Sequence, residues 1–273
     1  FVEEEDIDCI FMSESWERPD EPLQSIIELP DYTIISNPHQ RKEKRGRPAL
    51  IINTKKFFVK NLTQSTIDIP WGVEATWALL TPKIKIQNST IKKIAVCSFY
   101  SKPDSRMKSQ LLDHISQAYN IILSKYGEDI DFIIAGDKND LKLDQILSLS
   151  NKFRQVVVNF TRFNPPAILD PIITTLSVFY QVPEVLPPLD PDPDKTGVPS
   201  DHHIPVMRPI NNSEFRPART YKEVKVRPMP QSALKQMKSW LEEETWSNVL
   251  LAKSSHEKAE IFQKMVKNKL DQY

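Results

Sequence analysis

Asp131-Phe132-Ile133-Ile134-Ala135-Gly136-Asp137-Lys138-Asn139 is an apolar run that stops at one of the five glycines of the chain and then turns polar. A short, isoleucine-rich run bounded by turn residues predicts a strand covered on both faces. Asp137 and Asn139, spaced i and i+2, project to the same side if the backbone stays extended. A carboxylate and an amide held at the end of a rigid strand can serve phosphate chemistry: the acid orients a water or a metal, and the amide donates to a phosphate oxygen. Aspartate and asparagine are equally at home in an ordinary turn, and both readings stand at this point.

Moving outward, further strands are predicted at 7–12, 32–36, 49–52, 57–62, 75–80, 91–100 and 155–158, most of them short, rich in Ile, Val and Phe, and bounded by turn residues. Between two of them, Leu111, Leu112, Ile115, Tyr119, Ile122 and Leu123 recur at helical spacing over 108–126, and Gly127 closes that helix. A second helix is predicted over 141–149. Strands mixed with intervening helices indicate an α/β layered domain. The proline-rich segment 181–199 reads as a long surface loop of the kind that often carries function.

After residue 210 the composition changes. Residues 211–230 are polar and basic with several prolines, as in a linker. Two amphipathic helices are then expected, one with Leu234, Met237, Trp240 and Leu241 on a face, the next with Phe262, Val266, Leu270 and Tyr273, Ser254 and Glu257 forming a capping box at its start. The organisation predicted is a domain at 1–210, a basic linker at 211–230 and a helical connector at 231–273.

With 273 residues, 40 % hydrophobic and 26 % charged, the chain suits one folded domain plus an appendage. Lysine plus arginine equals aspartate plus glutamate at 36 each, so attraction to a polyanion must come from local patches. One candidate is Arg41-Lys42-Glu43-Lys44-Arg45-Gly46-Arg47, which also reads as a solvated surface loop. Cys9 and Cys97 both sit in apolar runs as small core hydrophobes, which argues against a disulfide framework or a cysteine metal site. No run of about 18 apolar residues could span a membrane and no signal segment opens the chain, so an intracellular protein is expected. Because it begins at Phe1 within an acidic segment, the chain is expected to be a fragment.

Other residues carry chemistry by position. Val198-Pro199-Ser200-Asp201-His202-His203 places two of the five histidines of the chain beside an acid, just ahead of a short apolar run. Histidine can act as an acid or as a charged donor near neutral pH, and a neighbouring carboxylate can hold a metal. Glu14, in Ser13-Glu14-Ser15, follows a predicted strand at its C-terminal end, where layered α/β domains build sites; an exposed glutamate in a turn is the plainer reading. Asp170 lies between Ala167-Ile168-Leu169 and Pro171-Ile172-Ile173, inside an apolar strand, which implies a charged or hydrogen-bonded mate such as a histidine. Tyr100 ends another strand and is as readily a core tyrosine.

In order along the chain, Ser13-Glu14-Ser15-Trp16, Phe99-Tyr100 with Pro103, Gly136-Asp137-Lys138-Asn139, Leu169-Asp170-Pro171-Ile172 and Ser200-Asp201-His202 resemble the endonuclease/exonuclease/phosphatase family, over roughly residues 7–209. The resemblance implies an α/β fold, a two-sheet sandwich flanked by helices, and a hydrolase that cleaves phosphodiesters with Mg²⁺ or Mn²⁺. It implies metal binding by Glu14, assisted by Asp201. Asp137 would orient the attacking water, Asn139 and Tyr100 would contact the phosphate, and His202 would stabilise developing charge while Asp170 accepts its other ring proton. A carboxylate in that place fixes the tautomer and raises the basicity of the histidine. The sequence departs from the family pattern in three places. An opening strand bearing an asparagine is missing, so N-terminal truncation is expected; Lys138 replaces a hydrophobic residue; and Gly46-Arg47-Pro48-Ala49 replaces a glycine-rich strand start.

The tail resembles the connector between endonuclease and reverse transcriptase in non-LTR retrotransposon polyproteins, on Thr220-Tyr221-Lys222-Glu223-Val224, Arg227-Pro228-Met229-Pro230, Trp240, Trp246 and Ser255-His256-Glu257-Lys258-Ala259. A plain helical extension is the alternative. The connector reading implies a nuclear enzyme that nicks DNA to expose a primer, with basic residues of 41–47 and 216–227 on the phosphate backbone. Two other functions share the residue set: a small-molecule or lipid phosphoesterase, and a non-catalytic remnant that binds nucleic acid or a partner.

Overall fold

The computed structural model describes residues 6–15, 17, 22–36, 47–83, 92–103, 105–188, 200–210 and 231–270. The chain forms two compact units, 1–218 and 219–273.

The first unit is built on a six-stranded sheet. Its strands are β4 (Phe57–Asn61), β5 (Glu74–Pro82), β6 (Ile94–Tyr100), β7 (Asp131–Asp137), β8 (Arg154–Gln155) and β11 (Ile172–Thr174), in the order β4-β5-β6-β7-β11-β8. Only β6 and β7 run parallel, joined by the long helix α2 (Ser105–Tyr126); the other pairs are antiparallel. The central strands are apolar along their length because both faces are covered. Alternate residues sort to the two sides: Trp77, Cys97, Phe99, Phe132 and Ile134 join Leu111, Ile115, Ala118 and Ile122 of α2 in one buried cluster. Ala78, Leu80, Ile94, Val96, Ile133 and Ala135 form the other, with Ile35, Leu50 and Ile52. These last three come from a second sheet of β1 (Cys9–Met12), β2 (Tyr32–Ser36) and β3 (Ala49–Asn53), antiparallel in the order β1-β3-β2. The architecture is the α/β sandwich of two sheets with helices against it that the sequence predicts.

Smaller elements complete the unit: the one-turn helices α1 (Leu23–Ile26) and α3 (Asp144–Leu147), the hairpin of β9 (Arg162–Phe163) with β10 (Pro166–Ala167), and the pair β12 (Glu184–Leu186) with β13 (Ile204–Val206). The second unit holds α4 (Gln231–Glu243), α5 (Ser247–Leu250) and α6 (Ser255–Leu270), with Trp246 between Trp240 and Phe262 at ring-centroid distances of 5.6 and 5.3 Å. Ser254 accepts the Glu257 N–H at 3.1 Å, as in the predicted capping box, while the Glu257 carboxylate accepts from Lys253 N at 2.9 Å.

Several expectations are corrected. The helix over 141–149 shrinks to one turn, its first residues drawn into a tight turn in which Leu141 N–H donates to Lys138 O at 2.7 Å. The strand at 155–158 stops after Gln155, whose side chain donates to its neighbour Val157 O at 2.8 Å. Asp170 lies in a bend between β10 and β11, not within a strand, and the next residue, Pro171, has no N–H to give a ladder. The loop 181–199 contains β12, whose partner lies beyond that loop. Arg47, counted in the basic patch, is buried in the left-handed region at φ 70°. Residues 41–46, 211–230 and Tyr273 lie outside the described residues.

Candidate active site

Parallel pairing ends β6 and β7 on the same row: Tyr100 lies beside Asp137, and across the antiparallel neighbour Glu74 lies beside Tyr100. The segment after β1 is stitched to this row. Ser98 Oγ donates to Met12 O at 2.9 Å, and Asp137 N–H donates to Ser13 Oγ at 2.8 Å. That fastening brings Glu14, the next residue, to the hydroxyl of Tyr100, where the two hydrogen-bond.

Asn139 does not continue the strand. It adopts φ 45°, its N–H donating to Asp137 Oδ1 at 2.8 Å and its side-chain nitrogen to Asp137 Oδ2 at 3.0 Å and to Ser101 O at 2.9 Å. The extended i, i+2 geometry is therefore replaced by an Asx-type turn. The turn and the site are one structure, since both Asn139 side-chain N–H groups are engaged in holding the Asp137 carboxylate and the chain after Tyr100.

From the other side, His202 Nδ1 lies 3.0 and 3.1 Å from the two oxygens of Asp170. Both side chains are largely covered, at 29 % and 18 % exposed, so the partner that the sequence required for Asp170 is this histidine. Asp201 is 71 % exposed with Oδ1 3.9 Å from His202 Nε2. His203 packs its ring against Phe163 at 4.4 Å. The element that joins the pair is Thr161, fully buried: its Oγ1 accepts the N–H of Leu169 at 2.9 Å and of Asp170 at 3.1 Å, while its carbonyl accepts His203 N–H at 2.6 Å.

The charges respond to this crowding. Burial raises the Asp137 carboxyl to about 6, helped by the negative charges of Asp170 and Glu14 and opposed by the Asn139 N–H and by His202. The hydrogen bond that His202 Nδ1 donates to Asp170 raises the histidine to about 8 against the effect of its burial. Tyr100 is held well above the ordinary phenol range by burial and by Glu14. Near neutral pH the site thus pairs an ionised Asp137 with a protonated His202, a base and a cationic donor in one electrostatic neighbourhood.

Sequence reasoning missed the supporting layer. Ser13 was visible only as part of the Ser13-Glu14-Ser15 turn, and Thr161 gave no signal. Buried Glu74 accepts from Arg47 N–H at 3.0 Å and pairs with Lys102 at 3.3 Å, behind Tyr100; nothing local marked it either. Among the described residues no group of three or more His, Cys, Asp or Glu could hold a metal ion. Glu14 and Asp201, the two carboxylates expected to hold a metal, are oxygen donors of the type a hard cation takes, but they are not gathered into such a group.

No family model matches the chain, and no curated protein does. Solved structures do. The catalytic domain of human Nocturnin, with bound sulfate, is 17 % identical with a TM-score of 0.49, over 74 % of this chain and 80 % of that one. The endonuclease domain of TRAS1, a telomere-specific non-LTR retrotransposon, is 13 % identical with a TM-score of 0.47, over 74 % and 85 %. The Xenopus laevis APE2 catalytic domain is 14 % identical with a TM-score of 0.47, over 77 % and 86 %. Likenesses of this size leave function to the geometry of the site.

Proposed function

We propose that this chain is a divalent-metal-dependent phosphodiesterase of the endonuclease/exonuclease/phosphatase type, and that it nicks DNA. The observation that carries the reading is the Asp170–His202 pair set against a buried Asp137 of raised pKa. Asp137, ionised near neutral pH, takes a proton from the attacking water and orients it. Asn139 holds the Asp137 carboxylate in place, and Tyr100 would turn its hydroxyl from Glu14 to the phosphate. His202, kept protonated by Asp170, donates to the oxygen on which charge accumulates. Mg²⁺ or Mn²⁺, held by Glu14 and Asp201 among waters, would supply Lewis-acid stabilisation of that charge.

The helical tail supports the further reading that the domain belongs to a non-LTR retrotransposon polyprotein, joined to a reverse transcriptase and acting in the nucleus. No helix among the described residues is long and apolar enough to cross a membrane.

Nicking of supercoiled plasmid tests the proposal. Wild type is expected to relax the plasmid with Mg²⁺ and not with EDTA, and Asp137→Ala and His202→Ala to lose at least about a hundredfold. Metal-independent nicking, or unchanged rates in both variants, would overturn it. Faster hydrolysis of a phosphoinositide or a nucleotide than of plasmid under equal metal would move the substrate to the small-molecule class.

A further inference from the structure

At the end of the sheet remote from Asp137, three lysines from three elements converge on one ring. The ammonium groups of Lys60 in β4, Lys93 just ahead of β6 and Lys125 in the last turn of α2 lie 5.4, 5.5 and 5.9 Å from the centroid of Tyr126. Lys93 O accepts the N–H of Asp131, the first residue of β7, while Asp137 is its last. Six residues of strand therefore separate the cluster from the site, about 20 Å.

The local chemistry leaves this positive charge uncompensated. Among the described residues none of the three lysines forms an ion pair, and the nearby Asp129 is paired with Lys92 at 2.8 Å. The carbonyl end of α2 accounts for a cation at Lys125, not for two more from β4 and the segment leading into β6. An aromatic face attracts a cation, but three ammonium groups around one ring repel one another. Lys125 Nζ also donates to Thr66 Oγ1 at 3.1 Å, placing a hydroxyl in the cluster. The Tyr126 hydroxyl is buried and makes no hydrogen bond of good geometry. Burial pushes that phenol up, but Lys60 and Thr66, with the charge of Lys125, lower it overall. The ring is a fixed platform, and the three flexible ammonium groups around it are compact donors suited to a multiply charged anion.

We propose that Lys60, Lys93 and Lys125, arrayed around Tyr126, form a second phosphate-binding site that takes the backbone of a nucleic-acid strand, separate from the site of cleavage. Ammonium groups offer point charges without base-edge geometry, so the contact is independent of sequence.

The test uses the full chain in EDTA, so that loss of nicking has no bearing on it. The probe is a fluorescein-labelled eight-nucleotide single strand without terminal phosphate, followed by anisotropy across a salt series. The triple variant Lys60→Gln/Lys93→Gln/Lys125→Gln is expected to bind at least tenfold more weakly, with a log–log salt slope smaller by about two, since each contact to a single strand contributes about 0.7. Lys267→Gln, in the second unit, is expected to match wild type. Affinity within twofold of wild type and an unchanged slope in the triple variant would overturn the proposal. So would a triple variant that binds the strand normally yet no longer binds inorganic phosphate, because the site would then serve a free anion. Circular dichroism of the triple variant checks that the substitutions, at exposed Lys60 and Lys125 and half-buried Lys93, leave the fold intact.

Discussion

Gly136 shows how narrowly the site is set at the level of single residues. It lies beside Phe99 in the parallel ladder, and a Cβ placed on it would stand 1.9 Å from the Phe99 carbonyl oxygen. The obstacle is backbone in a central strand, which cannot step aside as a flexible side chain could. Gly136→Ala is expected to cost about 2–4 kcal/mol, read as a drop in urea midpoint; a midpoint equal to wild type would contradict the close approach. The sequence displayed this glycine as the stop of an apolar run, and it displayed Asp137, Asn139, Asp170 and His202 as candidates. It did not display the φ of 45° at Asn139, because the i, i+2 rule assumes an extended backbone and an Asx turn is fixed by where the Asp137 carboxylate points. Arg47 was misread for a related reason. Charge alone suggested a surface patch, whereas its backbone N–H serves the buried Glu74.

Between residue and molecule, the site depends on short elements that make few contacts of their own. The hairpin β9–β10 leads into the Asp170 bend, and its Arg162 forms an antiparallel bridge with His202. Thr161 at its base is an acceptor for two N–H groups of the bend and offers its carbonyl to the His202–His203 segment. Thr161→Val keeps the shape and leaves those N–H groups without their acceptor. A loss of about 1–3 kcal/mol is expected, with Thr161→Ser costing less. Denaturation of the two variants side by side separates the hydroxyl from the methyl; equal losses would show that packing, not the hydroxyl, secures the bend. Elements of two or three residues such as β9, β10 and β12 were illegible in the sequence, and β8 was legible only at Gln155. Period-two patterning needs more residues than they have, and the partner of β12 lies across a proline-rich segment, which local composition cannot report. The long strands and α2 were legible because their apolar pattern runs the length of the element.

For the folded first unit as a whole, the buried side of α2 carries one titratable group that ties stability to pH. His114 is 3 % exposed, and its Nε2 accepts the indole N–H of Trp77 at 3.1 Å, in edge-on contact with that ring. An accepting nitrogen must be unprotonated. Burial therefore lowers His114 to about 4 from 6.5, against a weaker opposing pull from Asp68. Between those values the unfolded chain binds a proton that the folded chain refuses. The contribution of His114 is thus fully present above pH 6.5 and is lost as pH falls towards 4, by up to about 3 kcal/mol. Asp137, raised in the folded state, works in the opposite direction over part of the same window. Comparison with His114→Gln removes that term, since both proteins carry it. The variant is expected to be less stable than wild type at pH 7 and to close most of that gap at pH 4.5, read from urea midpoints at pH 7, 5.5 and 4.5. A gap that stays constant across the three would mean that His114 takes up its proton alike in the folded and unfolded chain, and burial with the hydrogen bond from Trp77 could not then hold it unprotonated.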